Sequence, residues 1–208
     1  MRTQSASPHN SAFAKGIDMI YFVAGAARTG KTYMAKRLMK MLGIPLLELD
    51  YIKMGFANGL PEYGIHPLQD EATLGNLLWP YVKGMIKAMV ENKDNYIIEG
   101  CYVLPEFADE ARQQHAGAIR ACFLGYADIS PSEKLAEVRR SGGKPGDPLR
   151  DYDDDAAVSD IQRFISYSQF VRKECARLGF PYFEVRDRER AVMSAIKKIL
   201  KEEGEQRH

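Results

Sequence analysis

Gly25-Ala26-Ala27-Arg28-Thr29-Gly30-Lys31-Thr32 decides how this chain reads. The pattern G-x-x-x-x-G-K-[ST] follows a short apolar run, Met19 to Ala24, and precedes a stretch where Met34, Leu38, Met41 and Leu42 recur at helical spacing. Strand, glycine-rich turn and helix together are the setting in which this pattern wraps phosphate. Gly25 and Gly30 let the backbone turn where a Cβ would clash, so successive N–H groups converge on one concavity. The helix beginning there adds unpaired N–H groups and the positive end of its dipole. Lys31 supplies a point charge for the outer phosphates, and Thr32 a hydroxyl for a magnesium ion held by the same phosphates. No G-x-G-x-x-G occurs, which argues against a dinucleotide fingerprint. The reading is a nucleoside triphosphate site built from Gly25, Ala26, Ala27, Arg28, Thr29, Gly30, Lys31 and Thr32.

Outward from the loop, short apolar runs alternate with helical patterns. Met19 to Ala24 reads as a strand buried on both faces. Pro45 to Asp50 is a second strand, and Glu48 within it marks a sheet edge, since a doubly buried strand has no place for a carboxylate. Residues 51–70 hold Gly55, Gly59, Pro61, Gly64 and Pro67 and read as loop-rich. A helix from Glu71 to Asn92 follows, bent at Pro80. Tyr96 to Gly100 and Ile119 to Leu124 are strands three and four, with a helix around Pro105 to Gln114 between them. Ser130-Pro131-Ser132-Glu133 is a helix start in which serine caps, proline takes the first position and glutamate reaches back. That helix runs to Arg140. Ser141-Gly142-Gly143-Lys144-Pro145-Gly146-Asp147-Pro148 then breaks regular structure. A long helix carries Val158, Ile161, Ile165, Val171, Cys175 and Leu178, and Tyr182 to Val185 is a fifth strand. A last helix places Val192, Ala195, Ile196 and Ile199 on one face. Such alternation predicts an α/β, three-layer, doubly wound parallel sheet.

Composition narrows the function classes. The 208 residues suit a single domain, and 45% apolar with 27% charged residues is an ordinary globular mixture. Twenty-nine basic against 28 acidic side chains leave a net charge of +1, which gives no support for a general nucleic-acid or membrane-surface binder. The three cysteines, Cys101, Cys122 and Cys175, are far apart and lack metal-ligand spacing, so a reducing, cytoplasmic setting is expected. No stretch is apolar enough to span a bilayer. Residues 1–18 are polar, without the apolar core of a signal peptide, and read as a flexible tail ahead of a domain over 19–208.

With loop, strand and helix in place, the sequence resembles the P-loop small-molecule kinases, the group that holds adenylate, shikimate and gluconate kinases. The resemblance covers residues 19–203, and only the loop within it is highly specific. It implies strand order 2-3-1-4-5, ATP with Mg2+ as phosphoryl donor, an acceptor lobe over about residues 51–92 and a closing lid over about 130–155.

Phosphoryl transfer asks mainly for positioning and charge neutralisation, with an acidic residue where the acceptor is an alcohol. Asp50, placed at the end of the second strand, stands at the carboxyl edge of the sheet, where open α/β proteins bind ligands. It is the candidate base, and capping of the next turn is its bland alternative. Similar kinases often hold an acid at the position of Glu99, where it orders magnesium, its waters or the acceptor; pairing with Lys31 or Arg28 is the structural alternative. From Arg37 to Arg112 the chain has no arginine, although forked guanidinium groups are the usual answer to a phosphate dianion. The presumed lobe offers Lys53, His66 and Lys83, with Tyr51, Phe56, Tyr63, Trp79 and Tyr81. That set suits a neutral or ring-bearing alcohol, although packing accounts for most of the aromatics. His66, before Pro67, reads as a loop residue.

Arg139 and Arg140 border the glycine- and proline-rich segment, and Lys144 and Arg150 lie in or beyond it. By resemblance they belong to a lid whose arginines neutralise charge on the transferring phosphoryl, which makes Arg139 and Arg140 candidate catalytic residues beside Lys31 and Asp50. The plain alternative is two cations at a helix C-terminus. Asp147, Asp151, Asp153, Asp154 and Asp155 read as a solvated run that caps the next helix. Arg186-Asp187-Arg188 follows the fifth strand, where resembled kinases cradle the adenine, so Arg186 joins the nucleotide-binding candidates and Asp187 doubles as a cap.

The leading expectation is ATP- and Mg2+-dependent transfer to a hydroxyl of a small molecule, with Thr32 and Glu99 toward the metal. The alternatives are a nucleoside monophosphate kinase, disfavoured by the arginine-poor lobe, and a nucleotide-gated regulatory NTPase.

Overall fold

β1 (Ile20–Gly25) is buried along its whole length. The reason is its place in the sheet: it pairs in parallel with β3 (Tyr96–Gly100) on one side and β4 (Ile119–Gly125) on the other. Side chains alternate across a strand. Ile20, Phe22 and Ala24 therefore enter one apolar layer, and Met19, Tyr21 and Val23 the opposite one. A central strand with covered faces must read as a continuous apolar run, which Met19 to Ala24 does.

The computed structural model describes residues 18–141 and 152–201. β2 (Leu46–Glu48) and β5 (Tyr182–Glu184) complete a parallel sheet of five strands in the order β2-β3-β1-β4-β5. α1 (Lys31–Leu42) and α7 (Arg188–Lys201) cover one face, with Met34, Leu38, Val192, Ala195, Ile196 and Ile199 packed on Tyr21, Val23, Ile97, Cys122 and Leu124. The other face carries α3 (Glu71–Glu91), α4 (Pro105–Gln114) and α6 (Asp154–Leu178). The α/β class, the parallel sheet and the strand order match expectation. β2 is an edge strand, and its Glu48 faces Lys36 at 3.3 Å.

Two expectations need correction. The second strand stops at Glu48, and Asp50 lies in the first turn of a helix, α2 (Leu49–Gly59), that occupies much of the segment read as loop. Leu49 is fully buried, and Ile52, Phe56 and Ala57 recur on the same face against the core. Burial of that stripe outweighs the helix cost of glycine, about 1 kcal/mol for a residue such as Gly55. A 3₁₀ turn, Pro61–Tyr63, follows. α3 contains Pro80 within its length, and that residue is exposed.

The helix starts behave as read. In α5 (Pro131–Ser141) the Glu133 amide donates to Ser130 Oγ at 3.2 Å, and the Ser130 amide donates back to the Glu133 carboxylate at 3.0 Å. Asp153 caps α6 by accepting from the Ala156 amide at 2.8 Å, and Asp187 accepts from the Arg190 amide at 2.9 Å at the start of α7. The stretch read as the break before α6, with Lys144, Asp147, Arg150 and Asp151, lies outside the described residues, as does the tail ahead of Asp18. Among the described residues no helix is long and apolar enough to cross a membrane.

Candidate active site

The loop leaves β1 beside the end of β4 and delivers the chain to α1. Gly25 has φ +114°, and a Cβ there would stand 2.0 Å from the Leu124 carbonyl oxygen, so no other residue fits. Gly30, at φ +89°, precedes α1 in the left-handed region with the Arg188 side chain against it. The Ala26 amide donates to Leu124 O at 2.9 Å, which fixes the loop to the sheet. Inside the loop, the Ala26 carbonyl accepts from Thr29 Oγ1 at 2.9 Å and from Lys31 Nζ at 2.6 Å. Lys31 is 5% exposed. Burial pulls its pKa down, but interactions with Cys101, Glu99 and Asp50 outweigh that and hold it above the ordinary lysine value.

Thr32, on the first turn of α1, donates its hydroxyl to Glu99 Oε2 at 3.1 Å. Glu99 sits in β3 in register with Val23 of β1 and Glu48 of β2, 5% exposed. Burial raises its pKa, opposed by the Lys31 charge and the Thr32 hydrogen bond. The fold thus brings together the two residues expected to face a metal. Among the described residues no cluster of three or more His, Cys, Asp or Glu could hold a metal ion. The oxygen pair Thr32 and Glu99 suits magnesium, which takes few protein ligands and keeps water and phosphate oxygens for the rest.

Asp50 is part of a trio that no sequence pattern announces. Its Oδ1 accepts from Tyr102 Oη at 3.0 Å and from Lys53 Nζ at 3.1 Å, and Lys53 also donates to Tyr102 Oη at 2.8 Å. The side chain of Asp50 is 65% exposed, whereas that of Lys53 is 13% exposed. The aspartate is therefore held through one oxygen while its carboxylate stays open to solvent. Lys53 follows Asp50 by one helical turn, a signal visible only once the segment is known to be helical. Tyr102 lies beyond the end of β3, and nothing in its sequence context marks it. Its hydroxyl pKa is raised by burial and by the charges of Cys101 and Asp50. Cys101, between Glu99 and Tyr102, is pushed up to about 11, chiefly by burial, and stays a thiol at neutral pH.

Trp79 stacks on Phe107 with centroids 4.8 Å apart and donates Nε1 to Glu110 at 2.6 Å, and Lys83 donates to the same carboxylate at 2.9 Å. Both bind α3 to α4. Phe56, Tyr63 and Tyr81 pack on one another, with Phe56 and Tyr81 centroids 4.5 Å apart. His66 accepts from the Leu68 amide at 3.3 Å within its own loop. Arg139 donates to the Tyr152 carbonyl and to Asp154, both at 2.9 Å, and so ties the end of α5 to the start of α6. Arg140 Nε donates to Ala136 O at 3.3 Å on its own helix. Arg186 is exposed and lines a cavity of about 340 Å³ with Phe183, Glu184, Asp187, Arg190 and Ser194. Arg188, two residues further on and the first of α7, is the residue that packs on Gly30.

A parallel sheet in the order 2-3-1-4-5, a phosphate-type loop after β1 and acidic side chains along the same edge make one architecture. The fold is that of the P-loop small-molecule kinases. Shikimate kinase from Bacteroides thetaiotaomicron superposes with a TM-score of 0.55 at 17% identity, over 88% of this chain and 98% of that one. The gluconokinase from Sinorhizobium meliloti 1021 gives 0.53 at 14% identity, over 88% and 91% of the two chains. Shikimate kinase from Acinetobacter baumannii, solved with shikimate, gives 0.52 at 14% identity, over 89% and 94%. No family model matches the chain, and no curated protein matches it. The likeness to this kinase fold is one of architecture.

Proposed function

We propose that this chain is a phosphotransferase that moves the terminal phosphoryl group of ATP to a hydroxyl of a small molecule. The observation that carries the reading is the bond from Thr32 to Glu99 beside the buried ammonium of Lys31, with Asp50 at the same sheet edge. That is the arrangement in-line transfer requires: cations and a metal site for the phosphates, and a carboxylate for the incoming alcohol. Thr32 and Glu99 would hold Mg2+, which supplies charge neutralisation at the phosphate oxygens. In the transfer an O–P bond forms to the acceptor oxygen, the bond to the departing ADP breaks, and the acceptor's proton goes to Asp50. The Lys53 and Tyr102 hydrogen bonds fix that carboxylate before the acceptor arrives, which is how positioning contributes to rate. Residues 51–92 serve as the acceptor lobe, residues 130–155 as the lid with Arg139 and Arg140, and Arg186 belongs to the base-binding end. The domain spans 19–208 behind a short tail, in a cytoplasmic setting.

The test is ATP turnover with and without pooled small metabolites, followed by a screen of acceptors for the mass of one added phosphate group. Turnover is slow alone and rises with the acceptor. Asp50→Asn cuts acceptor-dependent transfer by about 10²-fold or more and leaves Mg-ATP binding nearly intact. Unchanged transfer in that variant removes Asp50 from the chemistry.

A further inference from the structure

Two observations at the mouth of the loop are left over once Lys31, Thr32, Glu99 and Asp50 have been given their work. The first is Arg28, whose φ is +62°. Among the described residues only one other non-glycine residue, Lys93, has a positive φ. Lys93 occupies an exposed turn after α3, where its amide closes on Val90 O. Arg28 is different: it is held left-handed inside the phosphate-type loop, a conformation strained for any L side chain, and strain of that kind collects at functional sites.

The second is Tyr126. The residue is fully buried, and its hydroxyl has no hydrogen-bond partner, alone among buried side-chain polar atoms of the described residues. Phenylalanine would fill the same space without an orphaned donor, so an unbonded buried hydroxyl calls for an explanation.

The two belong to one place. Ala26 is bonded to Leu124, and Arg28 and Tyr126 each lie two residues further on along adjoining chains at the same sheet edge. Burial raises the Tyr126 pKa and the charge of Arg28 opposes it, so the guanidinium is within electrostatic reach of the hydroxyl. Cys101, Glu71 and Glu137 act on Tyr126 in the other direction. Lys134, itself 1% exposed and paired with Glu137 at 2.9 Å, places its ammonium 4.3 Å from the centre of the Tyr126 ring. Lys134 is thus taken up by Glu137 and the ring face, and a guanidinium with a spare O–H donor is what remains to meet an oxyanion.

We propose that the Arg28 side chain and the Tyr126 hydroxyl together contact the terminal phosphoryl group of the bound triphosphate. This rests on the nucleotide reading of the loop and adds to it: the loop contributes a side-chain cation besides its amides and Lys31. It also gives a physical reason for an arginine at a strained position, since the left-handed backbone directs a side chain where a relaxed residue would not.

The probes are Mg-ADP and the Mg complex of the imido-bridged ATP analogue, with binding followed by calorimetry on the full chain. Arg28→Gly suits the left-handed backbone, and its unliganded melting profile checks folding. The expected result is about 10-fold or greater loss of affinity for the triphosphate analogue, with ADP affinity within about 2-fold of wild type. Tyr126→Phe shows the same selective loss without lowering the unliganded melting temperature, because it breaks no bond. Equal losses for both nucleotides, or none in either variant while wild type binds normally, overturn the proposal. A wild-type chain that binds neither nucleotide removes the triphosphate reading, and this proposal with it.

Discussion

Glu99 and Lys31 are two buried charges whose environments work against each other. Burial raises the pKa of Glu99 while Lys31 draws it down, and the balance stays above the ordinary glutamate value. A carboxyl group with a raised folded-state pKa contributes stability below its unfolded value and loses it as pH rises through the folded one. The unliganded protein therefore loses stability relative to Glu99→Gln over that window on the alkaline side of the ordinary glutamate pKa. Chemical denaturation of both proteins across acid to neutral pH measures this, and parallel curves refute it. Under the proposed function, affinity for Mg2+ runs the opposite way, because magnesium needs the ionised carboxylate. At this scale the loop was legible because each of its positions has a task tied to residue type. Tyr102 and Lys53 were not, since a hydrogen bond across 49 residues leaves no trace in local spacing.

Among the elements, α3 depends on its cap. Asp70 accepts from the Thr73 amide at 2.9 Å and from the Thr73 hydroxyl at 2.7 Å. These bonds lower its pKa, so the cap's contribution is present above the unfolded aspartate value and fades as pH falls through the folded one. Asp70→Ala costs about 1 kcal/mol at neutral pH and less at strongly acid pH, read from urea midpoints. β2 and α2 mark where elements escape a sequence reading. Glu48 pointed to a sheet edge, because a carboxylate is tolerable where one side of the strand is open. The helix after it was hidden by Gly55 and Gly59, whose low propensity obscured the stripe of Leu49, Ile52 and Phe56.

Across the whole molecule, an ion pair joins the start of α3 to the long helix α6. Arg163 Nη1 bonds both oxygens of Glu71 at 2.9 Å, 92 residues apart, and Nη2 reaches Asp160 at 3.3 Å. Glu71 is 7% exposed. Arg163→Ala leaves a buried carboxylate without its cation and destabilises by about 2 kcal/mol, below the usual range for buried pairs because the arginine side chain is 39% exposed. Glu71→Gln in that background recovers part of the loss. A double-mutant cycle by denaturation supplies the numbers, and strict additivity rules out the coupling.

What the amino-acid order settled by itself was whatever depends on neighbours in the chain: the loop, the alternation of strands and helices, the caps at Ser130, Asp153 and Asp187, and the edge character of Glu48. Local sterics, side-chain periodicity and short-range hydrogen bonds act over a few residues, so a linear reading captures them. Only the folded chain decided that Thr32 meets Glu99, that Asp50 rides on a helix between Lys53 and Tyr102, and that Trp79 and Lys83 serve α4. Those outcomes depend on which strand ends share an edge and which helix faces meet, and burial over the whole sheet overrides local propensity there.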